Sequence, residues 1–129
     1  MNVQTKPYTL AFDEQPKYLY ARVTADSVSV PMAMSYLREI FDECRELGYD
    51  RLMIERDIPE QLPTSKFPLL AHEFVRLGVN DLRIAFVDRR IDDLGLLRFA
   101  AAATRALGIN VRVYRARPDA RRWLLYTNN

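Results

Sequence analysis

The chain has 129 residues, 49% apolar and 28% charged, with a formal net charge of +2 at neutral pH. That is the balance of an ordinary globular domain, and the length fits one domain spanning 1–129. No apolar run approaches the roughly 20 residues of a membrane helix, Met1 to Lys17 has no apolar leader core, and the lone Cys44 excludes an internal disulfide framework, so a cytoplasmic protein without a membrane partner is expected.

In chain order, Tyr8 to Phe12 and Tyr18 to Thr24 read as strands joined by an Asp13-Glu14-Gln15-Pro16 turn, an antiparallel hairpin with a four-residue connection. Ser27 or Ser29 can cap the next helix, with Pro31 in its first turn. Its apolar stripe is Met34, Leu37, Ile40, Phe41, Cys44 and Leu47. Arg51 to Asp57 is a strand, and Ile58 to Ser65 a loop with prolines at 59 and 63. Thr64 or Ser65 is placed to cap a helix running to Leu77, with Phe67, Leu70, Phe74 and Leu77 inward. Leu82 to Asp88 is a strand. Asp92 or Asp93 opens an Ala-rich helix through Leu107, Ile109 to Arg115 is the last strand, and Pro118 to Leu125 is a short final helix. Tyr126 to Asn129 is expected to fray.

Three Leu-Gly pairs, Leu47-Gly48, Leu77-Gly78 and Leu107-Gly108, stand thirty residues apart and each precedes an apolar run. Glycine takes the left-handed conformation past a helix end without a Cβ penalty. A helix-Gly-strand series at this period is the length of a strand-helix-strand crossover. The order ββαβαβαβα therefore predicts an α/β fold: a mixed five-stranded sheet with an N-terminal β-hairpin, parallel later strands and right-handed crossovers.

Alternation divides the strand residues into two faces. Leu19, Ala21, Val23, Leu52, Ile54, Ile84, Phe86, Val111 and Val113 form an apolar one. Tyr18, Tyr20, Arg22, Met53, Glu55, Arg83, Ala85, Val87, Arg112 and Tyr114 form an amphipathic one. Helices mainly on one face are expected, leaving the second partly wet or covered by a partner. Tyr18, Tyr20, Arg22, Arg83, Arg112 and Tyr114 are thus a candidate interface, of the composition found where two copies of a chain meet. They also resemble a nucleic-acid platform, but Glu55 shares the face and Lys is scarce, so no nucleic acid is expected.

Open α/β sheets bind ligands beyond the carboxyl ends of their strands. Here that edge carries Glu55, Arg56, Asp57, Asp88, Arg89, Arg90, Arg115 and Arg117, of which Asp57, Asp88, Arg89, Arg90 and Arg115 are the candidate ligand or partner edge. Asp is also a routine turn residue after a strand, and with several arginines beside it, ion pairing competes with binding. His72 is the only histidine and lies mid-helix, so neither a metal site nor a triad is expected. The four glycines form no phosphate loop, and no cofactor is expected. Trp123 reads as an anchor docking the last helix. From Arg98 onward the chain holds seven arginines and one acid, Asp119, an excess of +6 that leaves −4 for the rest.

The hairpin start, the helix-Gly-strand series and the segments RIAFVDRR and LLRFAAAATRALGINVRVYRARPDARRWL resemble the STAS-like group, the sulfate-transporter and anti-sigma-factor-antagonist domains, in its stand-alone SpoIIAA-like branch. Ala120-x-x-Trp123-Leu124 after the last strand is the most telling piece. The resemblance covers about Lys17 to Leu125. It implies a STAS/SpoIIAA-like domain that is not an enzyme: a regulatory or protein-interaction module binding a protein partner or a second copy as a homodimer. Regulatory members carry a phosphorylated Ser or Thr at a helix start. The matching region is Asp57 to Phe67, which makes Thr64 and Ser65 the candidate phospho-site or anion site, although the Asp-Ser-Ser-Gly pattern is absent. The alternative function is a carrier or sensor of a small anionic or apolar ligand at the strand ends.

Overall fold

The computed structural model describes residues 6–90 and 92–126. β1 (Thr9–Glu14) and β2 (Leu19–Thr24) form the hairpin. α1 (Val30–Glu46), β3 (Arg51–Asp57), α2 (Phe67–Arg76), β4 (Arg83–Asp88), α3 (Leu94–Arg105), β5 (Asn110–Tyr114) and α4 (Arg117–Tyr126) follow. The sheet runs β1-β2-β3-β4-β5, with β1 antiparallel to β2 and the remaining pairs parallel. It is the α/β order expected from the sequence. The hairpin connection is four residues long but lies at Gln15–Tyr18, two residues later than predicted, closed by Gln15 N–H donating to the Tyr18 carbonyl at 3.0 Å.

Ser29 caps α1: its backbone is extended, and its Oγ accepts from the Met32 amide at 3.2 Å. The helix ends at Gly48 (φ +79°), where Gly48 N–H meets the Arg45 carbonyl and Tyr49 N–H meets the Cys44 carbonyl, both at 3.0 Å. This paired reversal requires the left-handed backbone, and the other two Leu-Gly glycines share the positive φ.

The expectation that Thr64 or Ser65 caps α2 is corrected. Thr64–Lys66 is a single 3-10 turn that runs straight into the helix, and Lys66 occupies the cap position with no side-chain bond. The backbone is already helical there, and Pro68 in the first turn has no N–H to satisfy.

Three crossovers moving one way along the sheet place α1, α2 and α3 on one face. The main core fills the space beneath them with Leu19, Val23, Ile40, Phe41, Leu52, Ile54, Phe74 and Ile84. The second face is not open: α4 covers it. Ala120, Trp123 and Leu124, spaced i, i+3, i+4, seat on Tyr18, Met53, Ala85 and Val87. The candidate interface is corrected accordingly. Tyr18 is buried, Tyr20 and Tyr114 pack against this second core, and the Arg83 and Arg112 guanidiniums lie 4.4 and 5.6 Å from the centre of the Trp123 ring. Of the six, only Arg22 is exposed. Trp123 is the anchor that its position suggested, only 5% exposed. Helix α4 reaches Tyr126, and the rest of the stretch expected to fray, 127–129, lies outside the described residues.

Among the described residues, no helix is long and apolar enough to cross a membrane.

Candidate functional site

Alternation along β3 and β4 sends the charged strand ends to opposite faces. Arg56 and Asp88 are register partners and turn toward α1 and α2, whereas Glu55 and Asp57 turn the other way. The single edge read from the sequence is therefore two clusters.

On the α4 side, Asp57 is gripped from both flanks. Arg22 reaches Oδ2 at 2.6 Å and Arg90 reaches Oδ1 at 2.8 Å. These hydrogen bonds, Arg90 first and then Arg22, hold the Asp57 carboxyl below its ordinary pKa. Glu55 is buried and accepts from the Tyr20 hydroxyl, with Arg117 at 3.3 Å and Arg89 at 3.6 Å. Burial, reinforced by the Glu55 carboxylate, pushes the Tyr20 phenol up to about 12. Arg115 donates to the Asp92 carbonyl at 3.4 Å.

On the helix-covered side, Arg56 and Asp88 are 12% and 4% exposed and stand 3.4 Å apart. Arg56 also donates to the carbonyls of Ile58 and Glu60. Asp88 Oδ2 accepts from Gln61 at 3.1 Å, and Oδ1 accepts the Arg90 amide at 3.0 Å. Tyr36 on α1 joins the cluster: burial raises its pKa, against the opposing charge and hydrogen bond of Arg56. Among the described residues, no fully buried side-chain nitrogen or oxygen of this knot lacks a hydrogen-bond partner, which is what tolerates ionised groups at such depth.

The knot forms one end of a cavity of about 130 Å³ between the sheet, α2 and α3. Tyr36, Arg56, Gln61 and Asp88 supply the polar end. The rest is apolar: Leu62, Phe67, Leu70 and Phe74 from the loop and α2, Leu97, Ala100 and Ala101 from α3, and Phe86, Val111 and Val113 from the sheet. The space exists because α3 presents alanines where α1 presents Leu37, Ile40 and Phe41. Thr104, also in the wall, returns its hydroxyl to the Ala100 carbonyl at 2.9 Å and so adds no unpaired donor.

Reading the chain by elements missed Tyr36 and Gln61 as site residues and took Ala101 and Thr104 only as part of an Ala-rich helix. The available signal was the run of small residues on the inward side of α3. Thr64 and Ser65 are exposed, in the loop whose Gln61 and Leu62 line the cavity. His72 is exposed on α2. Cys44 is buried in the main core, its Sγ 3.5 Å from the Tyr49 carbonyl, and burial pushes its thiol up to about 11. Among the described residues, no group of three or more His, Cys, Asp or Glu is placed to hold a metal ion.

No family model matches this sequence, and no curated protein does. Among solved structures, the chain is similar to an uncharacterized protein of the DUF3478 family with a SpoIIAA-like fold from Shewanella loihica. The two share 14% sequence identity at a TM-score of 0.53, over 96% of this chain and 98% of that one. The fold is SpoIIAA-like, as the resemblance read from the sequence implies.

Proposed function

We propose that this chain is a non-catalytic binding domain that holds one small, neutral, largely apolar molecule between α2, α3 and the sheet. The observation that carries this reading is the cavity of about 130 Å³ with hydrocarbon walls and one polar end. An apolar cavity of roughly 150 Å³ stays dry and accepts a benzene-sized guest. The charges argue for a neutral guest. Arg56 is committed to Asp88 and two carbonyls, so an anionic head entering here would meet a cation already neutralised. Tyr36 and Gln61 remain as the groups able to orient one polar atom of the guest. Asp57 and Asp88 are both bound to arginines, an arrangement that supports binding over acid-base chemistry.

Methyl-resolved NMR titration tests this reading with toluene, 1-hexanol and hexanoate. Toluene and hexanol are expected to give saturable shifts at the methyls of Leu97, Val111 and Val113, with hexanoate binding more weakly. Ala101→Phe, which fills the cavity, abolishes those shifts; Ala100→Leu does the same from a half-buried position if the larger residue prevents folding. Titrations without saturable shifts at these methyls would remove the reading.

A second reading, the STAS-type regulatory module acting on a protein partner, draws support from the exposure of both Thr64 and Ser65 beside the cavity wall. Phosphate addition at either residue, detected by the intact mass of protein from its own host, is the test. An unmodified chain under all growth conditions would count against it.

A further inference from the structure

The two edges of the sheet differ, and the difference is independent of the cavity. β1 is an edge strand of six residues, exposed along nearly all its length. Hydrogen-bonded and non-bonded residue pairs alternate along an antiparallel ladder. Gln15 N–H bonds the Tyr18 carbonyl, so Asp13–Tyr20 and Ala11–Arg22 are the next bonded pairs. The N–H and C=O groups of Leu10, Phe12 and Glu14 therefore point away from β2, and among the described residues no strand pairs with them. At the other edge, Arg105 of α3 already donates to the Val111 carbonyl of β5 at 2.9 Å. An exposed edge with unpaired backbone groups is a template for a further strand.

A groove runs beside the β1 edge, between that strand and α1. Tyr8, Leu10 and Phe12 line its floor, with Phe12 38% exposed. Its wall is a row of carboxylates on α1, Glu39, Asp42, Glu43 and Glu46, at helical spacing along one side. The chain itself shows what this row accepts: Lys6, just ahead of β1, places its ammonium on Glu39. Among the described residues, the carboxylates of Asp42, Glu43 and Glu46 have no such partner. A second copy is a poor occupant. Pairing β1 with β1 of another copy would set two of these acidic rows against each other on one face of the joined sheet. A cationic strand fits. Its alternate residues would face α1 about 6.7 Å apart, against about 5.4 Å per turn along the carboxylates, and long Lys or Arg stems absorb that mismatch.

We propose that β1 docks an extended cationic segment of a partner protein by strand addition, with basic residues at alternate positions meeting Asp42, Glu43 and Glu46. Main-chain hydrogen bonds to Leu10, Phe12 and Glu14 supply the affinity common to any added strand, and the carboxylate row selects its side chains. The contact is small and largely exposed, so a micromolar, salt-sensitive affinity is expected.

Amide-resolved NMR titration with a capped seven-residue peptide alternating threonine and lysine tests the surface. Saturable shifts of the Leu10, Phe12 and Glu14 amides are expected. The triple variant Asp42→Asn, Glu43→Gln, Glu46→Gln, substituted only on the outer side of α1, is expected to bind at least fivefold more weakly. Full N-methylation of the peptide keeps its charge but removes every strand donor, and is expected to abolish binding; so is replacement of each lysine by glutamate. Absence of saturable shifts at these amides, equal binding of the N-methylated peptide, or binding unchanged in the triple variant would overturn the proposal. Shifts of the same amides on dilution of the protein alone would also overturn it, by making a second copy the occupant.

Discussion

Trp123→Ala is the most informative single substitution in the fold. The indole is 5% exposed and lies against Tyr114, with ring centres 6.3 Å apart, and against two guanidiniums. Truncating a buried Trp to Ala costs about 3–5 kcal/mol in transfer and cavity terms. The lost cation–π contacts add on the order of 1 kcal/mol at this partly desolvated site. Collapse of neighbouring side chains into the gap returns some of that. The expected net loss is about 4 kcal/mol, or roughly 12–16 °C in Tm for a chain of this size. Urea unfolding followed by far-UV circular dichroism measures it, since the variant loses the only indole. Trp123→Phe keeps the apolar body and is expected to lose less than half as much. A loss below about 1 kcal/mol for Trp123→Ala would mean that α4 is not anchored through this ring, and the account of the second face would fail.

Other consequences are as direct. Gly48 has φ +79° and nothing within 4 Å of an added Cβ, so Gly48→Ala tests backbone strain alone and is expected to destabilise by about 1 kcal/mol. Gly95, inside α3, is expected to respond to Ala with a gain of up to about 1 kcal/mol, provided that Asp93 Oδ1, 3.4 Å away, yields; paired denaturation curves decide. With its thiol raised to about 11 and its side chain buried, Cys44 should react with a maleimide or disulfide reagent at pH 8 far more slowly in the native protein than in urea. Asp57 has a folded pKa below its ordinary value near 3.8, so its contribution is present above that value and is lost as pH falls through the folded pKa. Asp57→Asn should flatten the acid limb of a stability-pH profile below about pH 4 and leave the neutral region parallel to the parent.

Periodicity exposed the elements because the physics behind it is local. Glycine past each helix end, Ser29 before α1 and alternation along the strands are all decided within a few residues. Those same signals led to the correct order of elements and to a mixed five-stranded sheet. The Thr64/Ser65 cap failed because a 3-10 turn and an α-helix share the same start signals, and only the continuous backbone through Lys66 distinguishes them. The second face was misjudged for a different reason. Tyr20, Arg83, Arg112 and Tyr114 carry polar tips that suggest water, yet their bodies pack under α4, whose Ala120-Trp123-Leu124 stripe is too short to announce which face it seeks. The cavity was invisible to any one segment, because it depends on Ala100 and Ala101 facing Phe74 and Phe86 across α2, α3 and the sheet. Strand-end charges were visible as residues but not as pairs, since alternation divides neighbours such as Glu55 and Arg56 between faces.

The central claim is that the cavity beside Arg56 and Asp88 holds a neutral apolar guest. A native mass spectrum of the protein purified gently from its own host addresses it most directly. The account predicts a chain carrying one added molecule of about six to ten heavy atoms, released on unfolding and absent from Ala101→Phe. An adduct retained in full by Ala101→Phe, or a bare chain that toluene and hexanol also fail to load, would contradict it.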